Sequence, residues 1–210
     1  MSIYDRQKNM NINRDLKICI IGCGGVGMNA AIFFCMSGIK KFTLFDNDIV
    51  EEHNLNRLPI PYKCIGMNKA KVTMEMIYQM RPEVDVDCYK RKFNADFLKN
   101  NLDDNYHPMD DNGDINWIVD CTDNFRTQKE ISKVAEECSI KYCKLGYNGE
   151  RISINDKVAT WDIDESDQEG YTITPSWAVP TVMVACMGVA KVMKYEDKEL
   201  ATEIKNMYIK

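Results

Sequence analysis

The sequence lacks the features of a membrane protein or a nucleic-acid-binding protein. A transmembrane helix is favoured by an apolar run of about 18 residues or more, and every apolar run in this sequence is shorter. Its 27 Lys and Arg residues are outnumbered by 32 Asp and Glu residues, and the net charge is −5. No stripe of basic residues stands out along the chain. We therefore expect neither a membrane partner nor a nucleic-acid partner.

The sequence also lacks a Cys-x-x-Cys pair, although it contains nine cysteines. Structural zinc sites are commonly built from such pairs, so we predict no zinc. The odd count and irregular spacing argue against a disulfide framework, and Cys19, Cys35 and Cys186 lie inside apolar runs. The polar N-terminal segment has no apolar core of a secretory signal. These features predict free thiols and a cytoplasmic protein.

Short apolar runs alternate with helix-forming segments from residue 17 to residue 149. Strands are predicted over 17–22, 41–46, 83–93, 115–122 and 140–149, and helices over 25–38, 68–82, 94–102 and 124–139. Repeated strand–helix units of this kind predict a mostly parallel sheet with helices on both faces.

The pattern changes after Gly149. Segments 151–155 and 157–164 flank a short turn and predict an antiparallel hairpin, which a loop over 165–176 and an apolar helix over 177–195 follow. The predicted fold class is α/β, with a Rossmann-like mixed sheet flanked by helices, parallel in its N-terminal half and antiparallel in its C-terminal strands. We expect one domain over 1–210, with a nucleotide-binding half at about 15–150 and the mixed-sheet part at about 151–210.

A glycine-rich loop lies between the first predicted strand and the first predicted helix. The stretch "GCGGVG" contains Gly-x-Gly-x-x-Gly at Gly22, Gly24 and Gly27, with Gly25 between them. Glycines in this position permit a tight turn and let phosphates approach the amide groups of the helix N-terminus. A tight turn without a ligand is the alternative, but the strand–helix context favours nucleotide binding. The motif alone does not separate a dinucleotide from ATP.

Two carboxylates follow the second predicted strand. Asp46 lies about 20 residues past the glycines, where an acidic side chain can bind ribose hydroxyls. Asp48 lies two residues later, where solvation or capping explains it almost as well as nucleotide binding.

The stretch "CTDN" ends the strand predicted over 115–122. Taken alone, Asp123 could cap the following helix, hold a ribose or bind a metal, and Thr122 or Asn124 would suit the capping role equally well. Cys121 is expected to pack at the end of the strand.

The motifs "GCGGVG", "FDND", "NLNR", "GMNKAKV" and "CTDN" occur in the order and spacing of the ThiF/MoeB/HesA family, part of the ubiquitin-activating-enzyme superfamily. The chain resembles this family from about Lys17 to Tyr195. The resemblance implies a ThiF-like adenylation domain that uses ATP and Mg²⁺. Its substrate would be the Gly-Gly tail of a small ubiquitin-like or sulfur-carrier protein, which it would activate as an acyl-adenylate with release of pyrophosphate.

The resemblance also implies roles for individual residues. Arg57, Asn54 and Lys69 would contact the phosphates, whereas Lys71 would be a surface residue. Asp46 would hold the ribose, and Asp123 would bind Mg²⁺.

The N-terminal stretch "YDRQ" resembles a family signature whose arginine reaches the ATP of a partner subunit. The resemblance therefore implies a homodimer in which Arg6 acts in trans. A frayed charged terminus is the alternative reading of this stretch. Arg14 is a second candidate for the same role.

The chain departs from the family at several positions. Leu58 follows "NLNR" where an arginine or glutamine is usual, and Gln128 replaces a frequent arginine, with Arg126 nearby. The loop 165–177 has no cysteine, so we expect no enzyme thioester and direct transfer of the acyl group to an external nucleophile. Cys143 and Cys186 are expected to be structural.

Three other functions stay open at the level of sequence. Some family members activate a peptide C-terminus or a carboxylate on tRNA, and the acidic balance argues mildly against tRNA. An ATP-binding but inactive subunit of a heterodimer is compatible with Leu58 and Gln128. An NAD(P)-dependent oxidoreductase would explain the glycine loop and Asp46 but not Arg57, Lys69 or Asp123.

Overall fold

A six-stranded sheet forms the centre of the protein in a computed structural model, which describes residues 2–96, 115–147, 152–158 and 175–194. The strands are β1 Lys17–Ile21, β2 Lys41–Phe45, β3 Asp85–Tyr89, β4 Trp117–Asp120, β5 Lys141–Tyr147 and β6 Ile152–Asn155, in the order β3-β2-β1-β4-β5-β6. The first five strands are parallel, and β6 runs antiparallel to β5. The predicted mixed sheet is confirmed.

Helices cover both faces of the sheet because its strands are apolar on both sides. The described α-helices are α1 Gly25–Ser37, α2 Lys69–Met80, α3 Phe125–Glu137 and α4 Ala178–Met193. Ile18 and Ile20 of β1 pack on the side of α1, α2 and α4, whereas Cys19 and Ile21 pack on the side of α3. None of the helices in the described ranges is long and apolar enough to span a membrane.

Side-chain and backbone caps explain where the helices begin and end. The Asn68 and Asn124 side chains accept hydrogen bonds from the backbone N–H of Lys71 and Thr127, at the starts of α2 and α3. Helix α1 ends at Gly38, which has a left-handed φ of 107° that favours glycine.

Three predicted elements differ from the structure or extend beyond the described residues. Strand β3 ends at Tyr89 rather than at residue 93, because residues 91–93 leave the sheet and line a cavity. Of the helix predicted over 94–102 only residues 94–96 are described, and of these Ala95 and Asp96 are helical. Strand β6 pairs with β5, and most of its predicted partner 157–164 lies outside the described residues, so that hairpin stays a prediction.

The connections of the sheet reverse direction between β1 and β4. The chain leaves β1 through α1 to reach β2 on one side, whereas β4 lies on the other side of β1. Ligands of doubly wound sheets bind at the carboxyl ends of the strands beside such a reversal. The glycine loop, Asp46 and Asp123 all lie at this edge of the sheet.

Candidate functional site

A cavity of about 710 Å³ lies at the carboxyl ends of β1, β2 and β4. It is lined by eight of the eleven predicted site residues, namely Gly22, Gly24, Gly25, Asp46, Asp48, Arg57, Lys69 and Asp123. Gly27, Asn54 and Arg6 do not line it. The structure thus brings most of the predicted site together from five separate stretches of the chain.

The glycine loop connects β1 to α1 in a turn that requires glycine. Gly22 has a φ of +89°, and its backbone N–H donates to the Phe45 carbonyl at 2.8 Å. A Cβ on Gly27 would lie 1.8 Å from the carbonyl oxygen of Gly22, so only glycine fits against the backbone of the turn at this position. Gly24 begins α1 without a side-chain cap, which leaves the first amides of the helix available to an anion in the cavity.

The Asp46 carboxylate joins the end of β2 to the glycine loop. Its Oδ2 accepts from the Cys23 N–H at 2.6 Å, and its Oδ1 accepts from the Asp48 N–H at 2.8 Å. Burial raises the pKa of Asp46, while these two hydrogen bonds and the charge of Lys69 act in the opposite direction. Asp46 therefore fixes the loop geometry, and its predicted contact with a ribose stays a prediction.

Lys69 is held at the cavity wall by Asp48. Its Nζ lies 3.1 Å from Asp48 Oδ2, and its backbone N–H donates to the Asp48 carbonyl at 2.9 Å. The Lys69 side chain is 14% exposed, whereas that of Asp48 is 59% exposed. Lys71 instead pairs with Glu75 at 3.6 Å outside the cavity, which confirms that it is a surface residue.

Arg57 is oriented by short-range contacts around a 3₁₀ helix, Glu52–Asn56. Its Nη1 donates to the His53 carbonyl at 3.1 Å and to Asn56 Oδ1 at 2.9 Å. The side chain of Asn56 in turn donates to the Ser176 carbonyl at 2.8 Å. These contacts keep one cationic side chain beside the glycine loop.

Asn54 is a buried cap, at 3% exposure, rather than part of the cavity lining. Its Oδ1 accepts from the Glu51 N–H at 3.0 Å, and its carbonyl accepts from the Arg57 N–H. The geometry gives no support to a phosphate contact for Asn54, because its side chain is used within the turn. It contributes to the site by holding Arg57.

Leu58 belongs to the hydrophobic core. It is 5% exposed and packs in a cluster that includes Met28, Val50 and Val72. An apolar side chain is therefore well accommodated at this position, and the departure from the family pattern leaves the charged lining of the cavity unchanged.

Asp123 is an exposed carboxylate without a partner among the residues that the structure describes. The cap of α3 is provided by Asn124, whose Oδ1 accepts from the Thr127 N–H at 2.9 Å. Of the three roles left open by the sequence, capping therefore falls to the neighbouring residue. An unpaired carboxylate that lines the same cavity as Arg57 and Lys69 fits a divalent cation bound to phosphates.

Several residues of the cavity were not identified from the sequence. Among them are Arg91, Lys92, Phe93, Tyr147 and Ser176, and Arg126 was noted only as a neighbour of Gln128. Phe45 stacks on Tyr89 at 4.7 Å and meets Phe93 edge-on at 5.5 Å, so this side of the cavity is aromatic. Arg126 could have been identified from the sequence, because it is a cation in the first turn of a predicted helix. A cation there is unfavourable to the helix dipole, which suggests a role outside the helix.

The cysteines beside the cavity and in β5 are poorly suited to nucleophilic attack. All nine thiols are free, and Cys186 on α4 is the exposed one. Burial raises the pKa of Cys143 to about 12 and also raises the pKa of Cys121, which borders the cavity. Thiols with raised pKa values stay protonated at neutral pH and are poor nucleophiles. These features agree with structural roles for Cys121 and Cys143.

Arg6 lies at the opposite edge of the sheet from the cavity. It is exposed in a 3₁₀ helix, Asp5–Gln7, next to Tyr4. A Cβ on Gly38, at the end of α1, would lie 3.2 Å from the Tyr4 ring. Helix α1 separates this edge from the cavity, and its 13 residues make it about 20 Å long. In this arrangement Arg6 does not reach the cavity of its own chain.

Arg14 belongs to the same edge of the sheet. Its guanidinium carbon lies 5.4 Å from the centre of the Tyr4 ring, a cation–π contact. Neither N-terminal arginine is therefore a component of the cavity within one chain.

The glycine loop, the cations and the unpaired carboxylate form the same set that the five sequence motifs predicted. The family model described as ThiF family matches residues 4–208. The chain belongs to the ThiF family. That membership accounts for the order of the motifs along the chain and for their convergence on one cavity.

The chain is similar to larger proteins of this family. It is 23% identical to ubiquitin-like modifier-activating enzyme 5 of Arabidopsis thaliana over 159 residues, which cover 73% of this chain and 36% of that protein. It is 27% identical to adenylyltransferase and sulfurtransferase UBA4 of Saccharomyces cerevisiae (strain RM11-1a) over 146 residues, which cover 68% and 31%. The chain thus spans about a third of the length of these curated relatives.

Solved structures show the same fold. The crystal structure of E. coli MccB with ATP superposes with a TM-score of 0.70 and 20% identity, covering 93% of this chain and 59% of that chain. The structure of PaaA superposes with a TM-score of 0.68 and 22% identity, covering 87% and 56%. The arrangement of strands and helices is therefore that of known ThiF-like proteins.

Proposed function

We propose that this chain is an ATP-dependent adenylyltransferase. It activates the C-terminal carboxylate of a small ubiquitin-like or sulfur-carrier protein with a Gly-Gly tail. One observation carries the proposal: a single cavity contains an uncapped helix N-terminus, two oriented cations and an unpaired carboxylate. An NAD(P)-dependent oxidoreductase has no evident use for Arg57, Lys69 and Asp123 together.

The reaction that fits this lining is nucleotidyl transfer. A carboxylate oxygen of the substrate attacks the α-phosphorus of ATP, the bond to the bridging oxygen of the β-phosphate breaks, and pyrophosphate leaves. Negative charge builds up on the phosphates as this bond breaks, so fixed positive groups stabilise the transition state. The α1 N-terminus, Arg57 and Lys69 supply those groups, while Asp46 binds the ribose.

The unpaired Asp123 would hold Mg²⁺ beside the phosphates. Magnesium held by this carboxylate would supply further positive charge at the phosphates. The chain contributes the position of the carboxylate, which needs no rearrangement since Asp123 has no competing partner among the described residues.

The names of the relatives support the substrate class. One group is named for activation of a ubiquitin-like modifier, and another for adenylyl transfer and sulfur transfer. Segment 165–177 contains no cysteine, and burial raises the pKa of Cys121 beside the cavity. The activated acyl group therefore passes to an external nucleophile without an enzyme thioester. The nine free thiols are compatible with a reducing cytoplasm.

Exchange of labelled pyrophosphate into ATP tests the proposal. The expected result is exchange that requires the chain, Mg²⁺ and a ubiquitin-like protein ending in free Gly-Gly. The same protein with its C-terminal glycine removed is the matched control and should support no exchange. ATP binding with no exchange for any such partner would contradict the proposal and favour an inactive subunit of a heterodimer.

The proposal includes a homodimer with Arg6 acting in trans. Arg6 is exposed and does not line the cavity of its own chain, so its contact with a phosphate requires another subunit. An apolar stripe on α4 offers an interface, consisting of Val179, Val182, Met183, Cys186 and Ala190.

Mixing two inactive variants tests this arrangement. Arg6→Ala and Asp123→Ala chains should each be inactive alone, whereas each mixed dimer has one complete site. Random pairing should then restore roughly a quarter of the wild-type exchange rate. An Arg6→Ala chain that is fully active alone, or a mixture that stays inactive although mixed dimers are detected, would contradict the trans role.

A further inference from the structure

Every polar group of Thr122, the residue before Asp123, forms a hydrogen bond. Its backbone N–H and its hydroxyl donate to Asp120 Oδ1 at 2.9 Å and 2.7 Å. Its carbonyl oxygen accepts from Lys144 Nζ at 2.6 Å and from Gln128 Nε2 at 2.9 Å. Both lone pairs of that oxygen are therefore used, one by β5 and one by α3.

The groups that hold Thr122 are themselves buried. Asp120 is fully buried, and Gln128 and Lys144 are each 3% exposed. Tyr142 of β5 donates its hydroxyl to the other oxygen of Asp120 at 2.7 Å. We call Asp120, Gln128, Tyr142 and Lys144 the Thr122 network. A backbone segment fixed by buried groups on two elements has little freedom to move.

Lys144 is an unusual residue at this position. Its ammonium group donates to the carbonyls of Thr122 and Leu145, and it forms no salt bridge among the described residues. Burying a charge against neutral carbonyls costs more free energy than burying an apolar side chain of the same size. The opposite charge of buried Asp120, the register partner of Lys144 on β4, offsets part of this cost, and both residues are hydrogen-bonded to Thr122. The buried charges are thus directed at the segment that carries Asp123.

We propose that Lys144 and Gln128 position the Asp123 carboxylate by fixing the Thr122 carbonyl. This inference rests on the proposed function, in which Asp123 holds the magnesium of ATP. A carboxylate fixed in advance binds its ligand without a further loss of conformational entropy. Lys144 and Gln128 are positioning residues, since neither lines the cavity. Gln128 thus fixes the Thr122 carbonyl at a position where the family pattern frequently has arginine.

The test compares two buried lysines. Lys144→Met removes the ammonium group but keeps an unbranched side chain, and Lys191→Met is the matched control. Lys191 is 2% exposed on α4, pairs with Asp156 and does not contact Thr122. Two quantities are measured in each variant: hydrogen exchange of the Thr122 amide, and the dissociation constant for ATP with and without Mg²⁺.

Lys144→Met should speed exchange of the Thr122 amide and weaken ATP binding in Mg²⁺ about tenfold, within the usual range for groups that support a metal ligand. Affinity for ATP without Mg²⁺ should stay within about twofold, because the network acts on the metal ligand. Lys191→Met should change neither quantity, even where it lowers the melting temperature. Wild-type values in Lys144→Met, or equal losses in both variants, would overturn the inference.

Two further measurements separate the possible failures. If Lys144→Met does not fold, Tyr142→Phe provides the test, since it removes one hydroxyl from Asp120 and should shift both quantities in the same direction by less. If the wild-type chain binds no ATP in Mg²⁺, the proposed function fails. The exchange rate of the Thr122 amide still decides whether Lys144 holds this segment, because that measurement needs no ligand.

Discussion

Asp123→Ala should lower the rate of adenylate formation by about 100-fold to 1,000-fold while the fold stays intact, the usual range for losing one stabilising group at a transition state. The carboxylate is exposed and has no partner within the described part of the chain, so its removal breaks no contact that supports the fold. The cap of α3 is kept because Asn124 provides it. A large loss of activity without a loss of stability is the signature of a ligand-binding group.

The measurement is the single-turnover rate at saturating ATP, together with the melting temperature. Glu136→Ala is the matched control, because Glu136 is an exposed carboxylate near the end of α3, the helix that follows Asp123, and does not line the cavity. It should retain the wild-type rate. An Asp123→Ala variant with a wild-type rate would show that the magnesium lies elsewhere.

Gly27→Ala should destabilise the protein by about 3 kcal/mol or more, at the upper end of the range for overpacking. The new Cβ would lie 1.8 Å from the carbonyl oxygen of Gly22 and 3.3 Å from Cys121 Cβ. The first contact is with backbone, which cannot rotate away as a flexible side chain can. Relief requires displacement of the turn between β1 and α1, so ATP binding should be lost as well.

Gly24→Ala separates stability from binding. A Cβ on Gly24 would have no neighbour within 4 Å, and Gly24 has an ordinary φ of −76°. Urea unfolding should therefore show a free energy of unfolding within about 1 kcal/mol of wild type. ATP affinity should nevertheless fall, since Gly24 lines the cavity. Equal stabilities of the Gly24→Ala and Gly27→Ala proteins would contradict the described packing of the loop.

The parts of the site that the sequence predicted depend on short-range patterns. The glycine loop and Asp46 follow apolar strands directly, and the carboxyl ends of parallel strands meet at one edge of a sheet. Asp123 follows β4 in the same way. This rule explains why Gly22, Asp46 and Asp123 lie at one edge of the sheet, whereas the assignment of Asp123 to the ATP site was implied by the resemblance to the family.

The parts that sequence reasoning missed depend on contacts between distant residues. Lys144 reaches Thr122 across 22 positions of the chain, and nothing near Lys144 in sequence indicates that contact. Asn54 was assigned to the phosphates because it lies in "NLNR", whereas its side chain caps a turn that no periodicity reveals. Arg91 and Lys92 line the cavity because β3 ends at Tyr89, and strand ends are poorly marked by alternation.

The central claim is that this chain transfers AMP from ATP to a C-terminal carboxylate. The most direct measurement is the intact mass of both proteins after incubation with ATP, Mg²⁺ and a ubiquitin-like protein ending in Gly-Gly. We expect that the Gly-Gly protein gains the mass of one AMP, that the chain itself gains no mass, and that Asp123→Ala yields no adduct. Bound ATP without an AMP adduct on any Gly-Gly protein would contradict it.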